Sequence, residues 1–254
     1  MHPELFHVAV FGQPLRFGSY GVLVVLALAL GLVVTRLRAR RFGLEPFDAF
    51  AATAIAAVSG WTGSVLLDAA VQWRQVLAGQ YPWDQPGLVF LGGLLGGVAG
   101  AWAYTRAYGV SLLAVADAAA PGIALGHAVG RVGCLLGGCC YGRPWAEAPA
   151  RVIELAGGAR HPVQLYEAAL LVLLAGGLLA LSPPRRRPGA IFARYLVGYG
   201  VLRIVTELFR GDDQERGFLI PGVWSTSQTL SLVLVAAGVM GLRAGRRRAA
   251  APPA

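Results

Sequence analysis

An all-α integral membrane protein with seven transmembrane helices, its N-terminus periplasmic and its C-terminus cytoplasmic, is the fold class this sequence predicts. Three observations predict it. Of the 254 residues 56% are hydrophobic and only 14% are charged, where an ordinary soluble domain carries about 25% charge. The apolar residues gather into seven runs, each near the length needed to cross the hydrocarbon core as a helix. The basic residues, all Arg with no Lys, sit in short tracts beside those runs. The formal net charge of +9 therefore reads as a device for membrane orientation, and nucleic acid is not an expected partner.

The spans follow in order. Span one is Ser19–Thr35, with Tyr20 in its opening SYG; Met1–Gly18 lacks a basic n-region apart from Arg16, so this segment is expected to be retained. Span two, Phe47–Ala70, carries Asp68 near its end, and Trp73, Tyr81 and Trp83 beyond it fit an aromatic belt. Span three, Gly87–Tyr104, places Gly92, Gly96 and Gly100 at four-residue spacing, a pattern for close helix contact. It is not a phosphate loop, because the Gly-Lys-Ser/Thr ending is absent. Span four, Leu112–Val129, contains Asp117, Pro121 and His127, which leaves open whether it is broken or partly interfacial. Span five, Pro162–Leu181, has Pro in its first turn, where the missing N–H costs little. Span six is Gly189–Phe209 and span seven Trp224–Leu242. The chain is expected to form one transmembrane domain over 1–254, with a periplasmic loop at about 130–161 and a disordered tail at about 249–254.

Direction comes from the Arg tracts. RLRARR at Arg36–Arg41, Arg106, PPRRRP at Pro183–Pro188 and RAGRRR at Arg243–Arg248 hold 12 of the 22 basic residues. With seven spans all four tracts fall on one side, which is then cytoplasmic. Omitting span four would put the last two on the wrong side. The segments 130–161 and 211–223 are thereby expected on the opposite face.

Ionisable groups at a membrane boundary are costly unless something uses them, and two motifs place several there. HAVGRVGCLLGGCCYG, His127–Gly142, holds Arg131 among five glycines where the chain is expected to leave span four; a phosphate site, a headgroup anchor or interfacial snorkelling all suit it. HPVQLYE, His161–Glu167, puts Gln164 and Glu167 on one face, with Glu167 either a proton carrier or a structural acid bonded to a neighbouring helix. In span six Tyr199, Arg203, Glu207 and Arg210 recur at helical spacing and share a face. That face reads either as a locking Arg–Glu pair or as a cationic pocket for an anionic headgroup, since a guanidinium matches phosphate with several donors in a fixed fork. Cys134, Cys139 and Cys140 have the spacing C-x4-C-C, which matches none of the usual zinc patterns. Packing, or a disulfide between Cys134 and either Cys139 or Cys140, is the favoured expectation for them, and no metal is expected.

These motifs together resemble one family, the prolipoprotein diacylglyceryl transferases. The resemblance rests on SYG at Ser19–Gly21, GLVFLGGLLGG at Gly87–Gly97, D-x-x-A-P at Asp117–Pro121, GHAVGRVGC at Gly126–Cys134, HPVQLYE, GYGVLRIVTELFR at Gly198–Arg210 and SQTLS at Ser227–Ser231. It implies an enzyme of the bacterial inner membrane that moves the diacylglyceryl group of phosphatidylglycerol to the lipobox cysteine thiol of a preprolipoprotein, releasing glycerol-1-phosphate. Its partners would be phosphatidylglycerol, the lipobox of the signal peptide and the lipid bilayer, and it would need no cofactor. It implies further that Arg131 and Arg203 hold the phosphate, and that Tyr20, Glu167, Tyr199, Glu207 and Arg210 line or support the pocket. Gln164 is placed with the lining residues, and Glu167 and His161 with the catalytic ones.

The sequence also departs from the family pattern. Leu91 stands where the family commonly has the His of an HGG triplet, and in GRVGCLLGGCC Cys134, Gly137 and Cys139 replace Asn, Asn and Glu. His161, His127 and Glu167 remain as alternatives for the general base.

Overall fold

The structure is a computed structural model; it describes residues 4–10, 13–146, 154–155, 158–181, 187–211, 217–220 and 223–250. A ribbon of β1 (Glu4–Val10) and β2 (Gln13–Gly18) leads into α1 (Ser19–Arg38), α2 (Pro46–Val71), the short α3 (Trp73–Leu77), α4 (Phe90–Ala107) and α5 (Leu112–Gly137). After β3 (Glu154–Leu155) and β4 (Gly158–Ala159) come α6 (Val163–Ala180), α7 (Ala190–Glu207), β5 (Phe218–Ile220), β6 (Trp224–Ser225) and α8 (Thr226–Ala250). All three ribbons are antiparallel pairs of neighbours in sequence.

The architecture is that of an all-α, multi-pass membrane protein. Among the described residues five helices, those beginning at Ser19, Pro46, Leu112, Val163 and Thr226, are long and apolar enough to cross a membrane, not the seven expected. The glycines and Arg106 dilute the hydropathy of α4, and α7 carries Arg194, Arg203 and Glu207. Many large apolar side chains point outward, among them Val25, Leu37, Phe47 and Leu173. Outward apolar surface on this scale fits lipid as solvent.

Span edges shift in three places. α5 passes unbroken through Pro121 and continues to Gly137, so Arg131 lies within the helix and not at its exit. Pro162 caps α6 instead of occupying its first turn. α8 carries the last Arg tract to Ala250, and residues 251–254 of the expected tail lie outside the described residues. So do most of the tract at Pro183–Pro188 and the acidic residues Asp212 and Asp213.

The chain divides into two compact units, Met1–Gly31 with Ala120–Ala254, and Leu32–Ala119. In the second, α2 and α4 lie against each other along glycine. A Cβ on Gly63 would strike the backbone of Gly92, and one on Gly96 would strike the backbone of Ser59. The four-residue Gly spacing is thus a backbone-to-backbone contact, as expected. Beside it Ala39, Leu44, Ala49, Ala52, Tyr104, Val115 and Ala118 form a buried core. The Tyr104 hydroxyl donates to Asp48 Oδ1 at 2.9 Å.

Asp68 closes one end of this unit. Its Oδ2 accepts from Tyr81 Oη at 2.6 Å, Gln72 Nε2 at 2.8 Å and Gly87 N at 3.1 Å. Tyr81 is therefore buried and not a belt residue, while Trp73 and Trp83 are exposed. The bond to Asp68, with burial, pushes the Tyr81 hydroxyl up to about 12.

In the first unit α5 lies on α1. A Cβ on Gly122 would meet the backbone of Gly31, and one on Gly126 that of Ala27. α7 packs between α6 and α8: Gly198 faces Leu174, whereas Gly200 and Gly238 sit on the α7–α8 contact. The entry to α8 is a reciprocal capping box. Gln228 N donates to Ser225 Oγ at 3.1 Å, and Ser225 N donates to Gln228 Oε1 at 2.9 Å.

Gly96→Leu is expected to lower stability by about 3 kcal/mol, the upper end for overpacking, because backbone opposite cannot yield. Asp68→Ala is expected to cost about 1–3 kcal/mol by leaving the Tyr81 hydroxyl and Gly87 N–H unpaired. Thermal unfolding of detergent-solubilised protein checks both, and an unchanged midpoint in either variant would contradict the packing described.

Candidate active site

Three helices of the first unit bring their polar faces to one point. From α5 come His127 and Arg131, one turn apart; from α6 Gln164 and Glu167; from α7 Tyr195, Tyr199, Arg203 and Glu207, at successive four-residue steps. Glu167 is the centre, 1% exposed. Its Oε1 lies 3.0 Å from Arg131 Nη2 and 3.7 Å from His127 Nε2, and its Oε2 lies 3.9 Å from Arg203 Nη1. Arg203 Nη2 reaches Glu207 Oε2 at 2.9 Å.

Both readings of Glu167 and of the α7 face thus meet in one constellation. The Arg–Glu pairs do lock helices, because losing one member of a buried pair strands the other's charge. They are not saturated, however. Arg131 Nε and Arg203 Nη1 are buried without a hydrogen-bond partner, as is Gln164 Oε1. Glu167 Oε1 is likewise without a hydrogen bond; buried polar atoms are nearly always bonded, so guanidinium donors left unbonded around one carboxylate suit an anion.

Aromatic rings wall this centre. Tyr199 lies with its ring centroid 5.3 Å from His127 and stacks on Tyr195 at 5.9 Å. Tyr20, 49% exposed, opens α1 and packs on Gly133 and Gly137 of α5. A Cβ at 133 would reach van der Waals contact with Tyr20 and Leu23. Gln164 donates Nε2 to the Cys139 carbonyl at 2.6 Å.

The loops beyond the helices form a backbone clasp that the sequence did not reveal. Gly142 N donates to His161 O at 3.1 Å, His161 N to Arg143 O at 3.1 Å, Arg143 N to Phe209 O at 2.8 Å and Gly211 N to Tyr141 O at 3.2 Å. Residues 141–143 thus run between the entrance of α6 and the exit of α7. A Cβ at Gly142 would collide with His161. Arg143 Nε also donates to Arg210 O at 3.3 Å. Arg210 itself is buried at the end of α7, against Gly142.

The structure separates the two candidate histidines. His127 shares the Glu167 carboxylate. His161 stacks on Trp145 at 4.5 Å and touches Tyr166 and Phe209, with Nδ1 3.4 Å from Tyr166 Oη. Its ring is taken up by an aromatic cage. The signal for His127 was its i, i+4 relation to Arg131. Tyr195 was missed, although it continues the α7 face by one turn.

Cys134, Cys139 and Cys140 are all unbridged, so neither of the disulfides weighed above is formed. They gather at the C-terminal end of α5, Cys134 in its last turn and Cys139 and Cys140 just beyond it. Cys140 has φ 59, a left-handed conformation unusual for a residue with a side chain, and Gly138 precedes it at φ 78. The two neighbouring thiols, donating toward Cys140, hold it well below the usual thiol range and Cys139 above it.

A multi-pass helical membrane protein with a buried, incompletely paired Arg–Glu centre is the class that this fold and site define. The chain matches the family model for prolipoprotein diacylglyceryl transferase over residues 7–243, and it belongs to that family. It is 34% identical to the phosphatidylglycerol–prolipoprotein diacylglyceryl transferase of Nitrosomonas europaea, over 94% of this chain and 89% of that one. The protein of the same description from Methylococcus capsulatus is 31% identical, over 98% and 99%. That from Clostridium tetani is 28% identical over the same shares.

Glu167→Ala is expected to destabilise the protein by about 3–5 kcal/mol, since Arg131 and Arg203 would be left buried without their shared counter-ion. Chemical denaturation followed by circular dichroism measures this, and a loss below about 1 kcal/mol, the scale of an exposed pair, would show the centre to be solvated.

Proposed function

We propose that this protein transfers the diacylglyceryl group of phosphatidylglycerol to the lipobox cysteine of preprolipoproteins in the bacterial inner membrane. One observation carries the reading to residues: Arg131 and Arg203 converge on Glu167 while each keeps a buried guanidinium nitrogen without a hydrogen bond. Two such nitrogens suit the phosphodiester oxygens of the lipid.

In this reading the thiolate sulfur attacks the glycerol carbon that carries the phosphate. The S–C bond forms as the C–O bond breaks, and the electron pair leaves on oxygen with glycerol-1-phosphate. The phosphate passes from one negative charge to two, and Arg131 and Arg203 stabilise that increase. Glu167 is already engaged by two guanidiniums and His127; it orients them, and Glu207 holds the second fork of Arg203. Tyr20, Gln164, Tyr199 and Arg210 line the approach. His127, rather than the caged His161, is the imidazole within reach of the reacting centre.

All seven long helices cross the bilayer in this reading, α4 by its glycine contact with α2 and α7 by pairing its charges internally. The Arg tracts then mark the cytoplasmic side, the N-terminus lies outside, and the site opens to the periplasmic leaflet where both substrates reside.

The test uses purified protein in phosphatidylglycerol vesicles with a lipobox peptide. Glycerol phosphate release is expected to accompany the peptide's mass gain. Arg131→Ala and Arg203→Ala are each expected to lower the rate at least about 100-fold, the size of losing one charge-stabilising donor. Full activity in either variant would remove that Arg from the phosphate pocket.

A further inference from the structure

The transfer as described leaves three thiols unused. The Sγ atoms of Cys134, Cys139 and Cys140 all lie within 4.8 Å of one another, and all three residues are partly exposed. The backbone makes this possible despite the unpromising spacing. Cys134 lies in the last turn of α5, Cys139 N donates to Cys134 O at 3.1 Å, and the left-handed residues Gly138 and Cys140 reverse the chain. Two consecutive cysteines are thus returned to a third. Three thiolates each about 2.3 Å from one zinc ion stand roughly 3.8 Å apart, so the trio closes on one ion with little movement. A disulfide would use two and leave one over. Thiolate donors select zinc and copper(I)-class ions.

The position of the trio matters as much as its geometry. Cys134 follows Arg131 by three residues on α5. Gln164, which donates to the Cys139 carbonyl, precedes Glu167 by three on α6. Cys134 on α5 and the Gln164 contact on α6 therefore lie about one helical turn, roughly 5 Å along the axis, from Arg131 and Glu167. Gln164 Oε1, buried beside them, has no hydrogen-bond partner. A sulfur held at the trio would stand at the same end of α5 and α6 as a phosphate held by Arg131.

We propose that Cys134, Cys139 and Cys140 bind one zinc-class cation whose fourth coordination position receives the acceptor thiol. This rests on the transfer reading above and supplies the step it lacks. The acceptor S–H loses its proton to water on coordination, because a thiol bound to zinc is deprotonated outright. The bound thiolate then attacks the glycerol carbon; the S–C bond forms, the C–O bond breaks and glycerol phosphate leaves as the dianion. Two negative charges enter, on thiolate and phosphodiester, and two leave on the product. Catalytic zinc sites with three protein ligands and one open position follow the same plan.

The experiment uses the full chain in detergent with phosphatidylglycerol, reduced, loaded with zinc and passed through gel filtration. One zinc per chain is expected, lost in Cys134→Ser, Cys139→Ser and Cys140→Ser. Cobalt(II) serves as the optical probe. Adding a lipobox peptide with Cys is expected to raise the thiolate-to-cobalt absorption by about one third, three thiolates becoming four, and a Ser peptide is expected to leave it unchanged. Where a variant fails to fold, zinc protection of the three wild-type thiols against maleimide gives the same answer. Equal labelling with and without zinc overturns the site. Bound cobalt that ignores the Cys peptide overturns the acceptor role. Undiminished transfer by zinc-free protein overturns this inference and leaves the transfer reading intact, whereas peptide-sensitive cobalt without any transfer keeps the thiol site and sinks the transfer reading.

Discussion

A carboxylate in the interior of a membrane protein needs partners, and the Glu167 carboxylate has three. Arg131 and His127 approach one oxygen and Arg203 the other. Removing these ions from water costs several kcal/mol each, and the cost is met only where geometry lets opposite charges converge. Three helices must therefore deliver their polar residues to one depth. The registers of α5, α6 and α7 follow from that demand: 127 and 131, 164 and 167, 195 through 207 in steps of four. It also explains why α7 misses the hydropathy of an isolated span. A helix that shares its charges with neighbours need not be apolar throughout.

Close contact makes such convergence possible. In lipid there is no hydrophobic force between helices, so association depends on backbones approaching closely. Glycine supplies the approach on α4 against α2, on α5 against α1 and on α7 against α8. At Gly142 the same property serves the loops: the absent Cβ lets three segments share one set of backbone hydrogen bonds at the mouths of α6 and α7.

The helices were legible in the sequence because a run of apolar residues about a membrane thick has few other meanings. The face Tyr199–Arg203–Glu207 was legible because charge inside such a run is rare and its spacing fixes its direction. Glu167 meeting Arg131 was not, since pairing between helices leaves no trace in spacing. The surroundings of His161 were hidden for a related reason. Its motif placed it beside the site, but Trp145 and Phe209, distant in sequence, claim its ring. Tyr81 looked like an interfacial anchor until Asp68 was found to bind it. The three ribbons escaped notice because backbone pairing over two to seven residues needs no apolar alternation. The cysteine trio was hidden by a left-handed residue at 140 that no composition announces.

The balance of charge at the centre bears on how it would act as well as on how it folds. Arg131 and Arg203 carry two positive charges, and Glu167 and Glu207 two negative, so the four cancel. A pocket of bare guanidiniums would bind a phosphodiester tightly and hold its more highly charged product more tightly still. Uniform tightening of that kind lowers KM without raising kcat. A compensated pair interacts modestly with the ground state but keeps fixed donors aimed at the oxygens on which charge grows. Its contribution therefore rises as the C–O bond breaks, and falls again when the carboxylates recover their partners and the product departs. Glu167 and Glu207, on this account, are what make two buried arginines suitable for turnover rather than for storage of an anion.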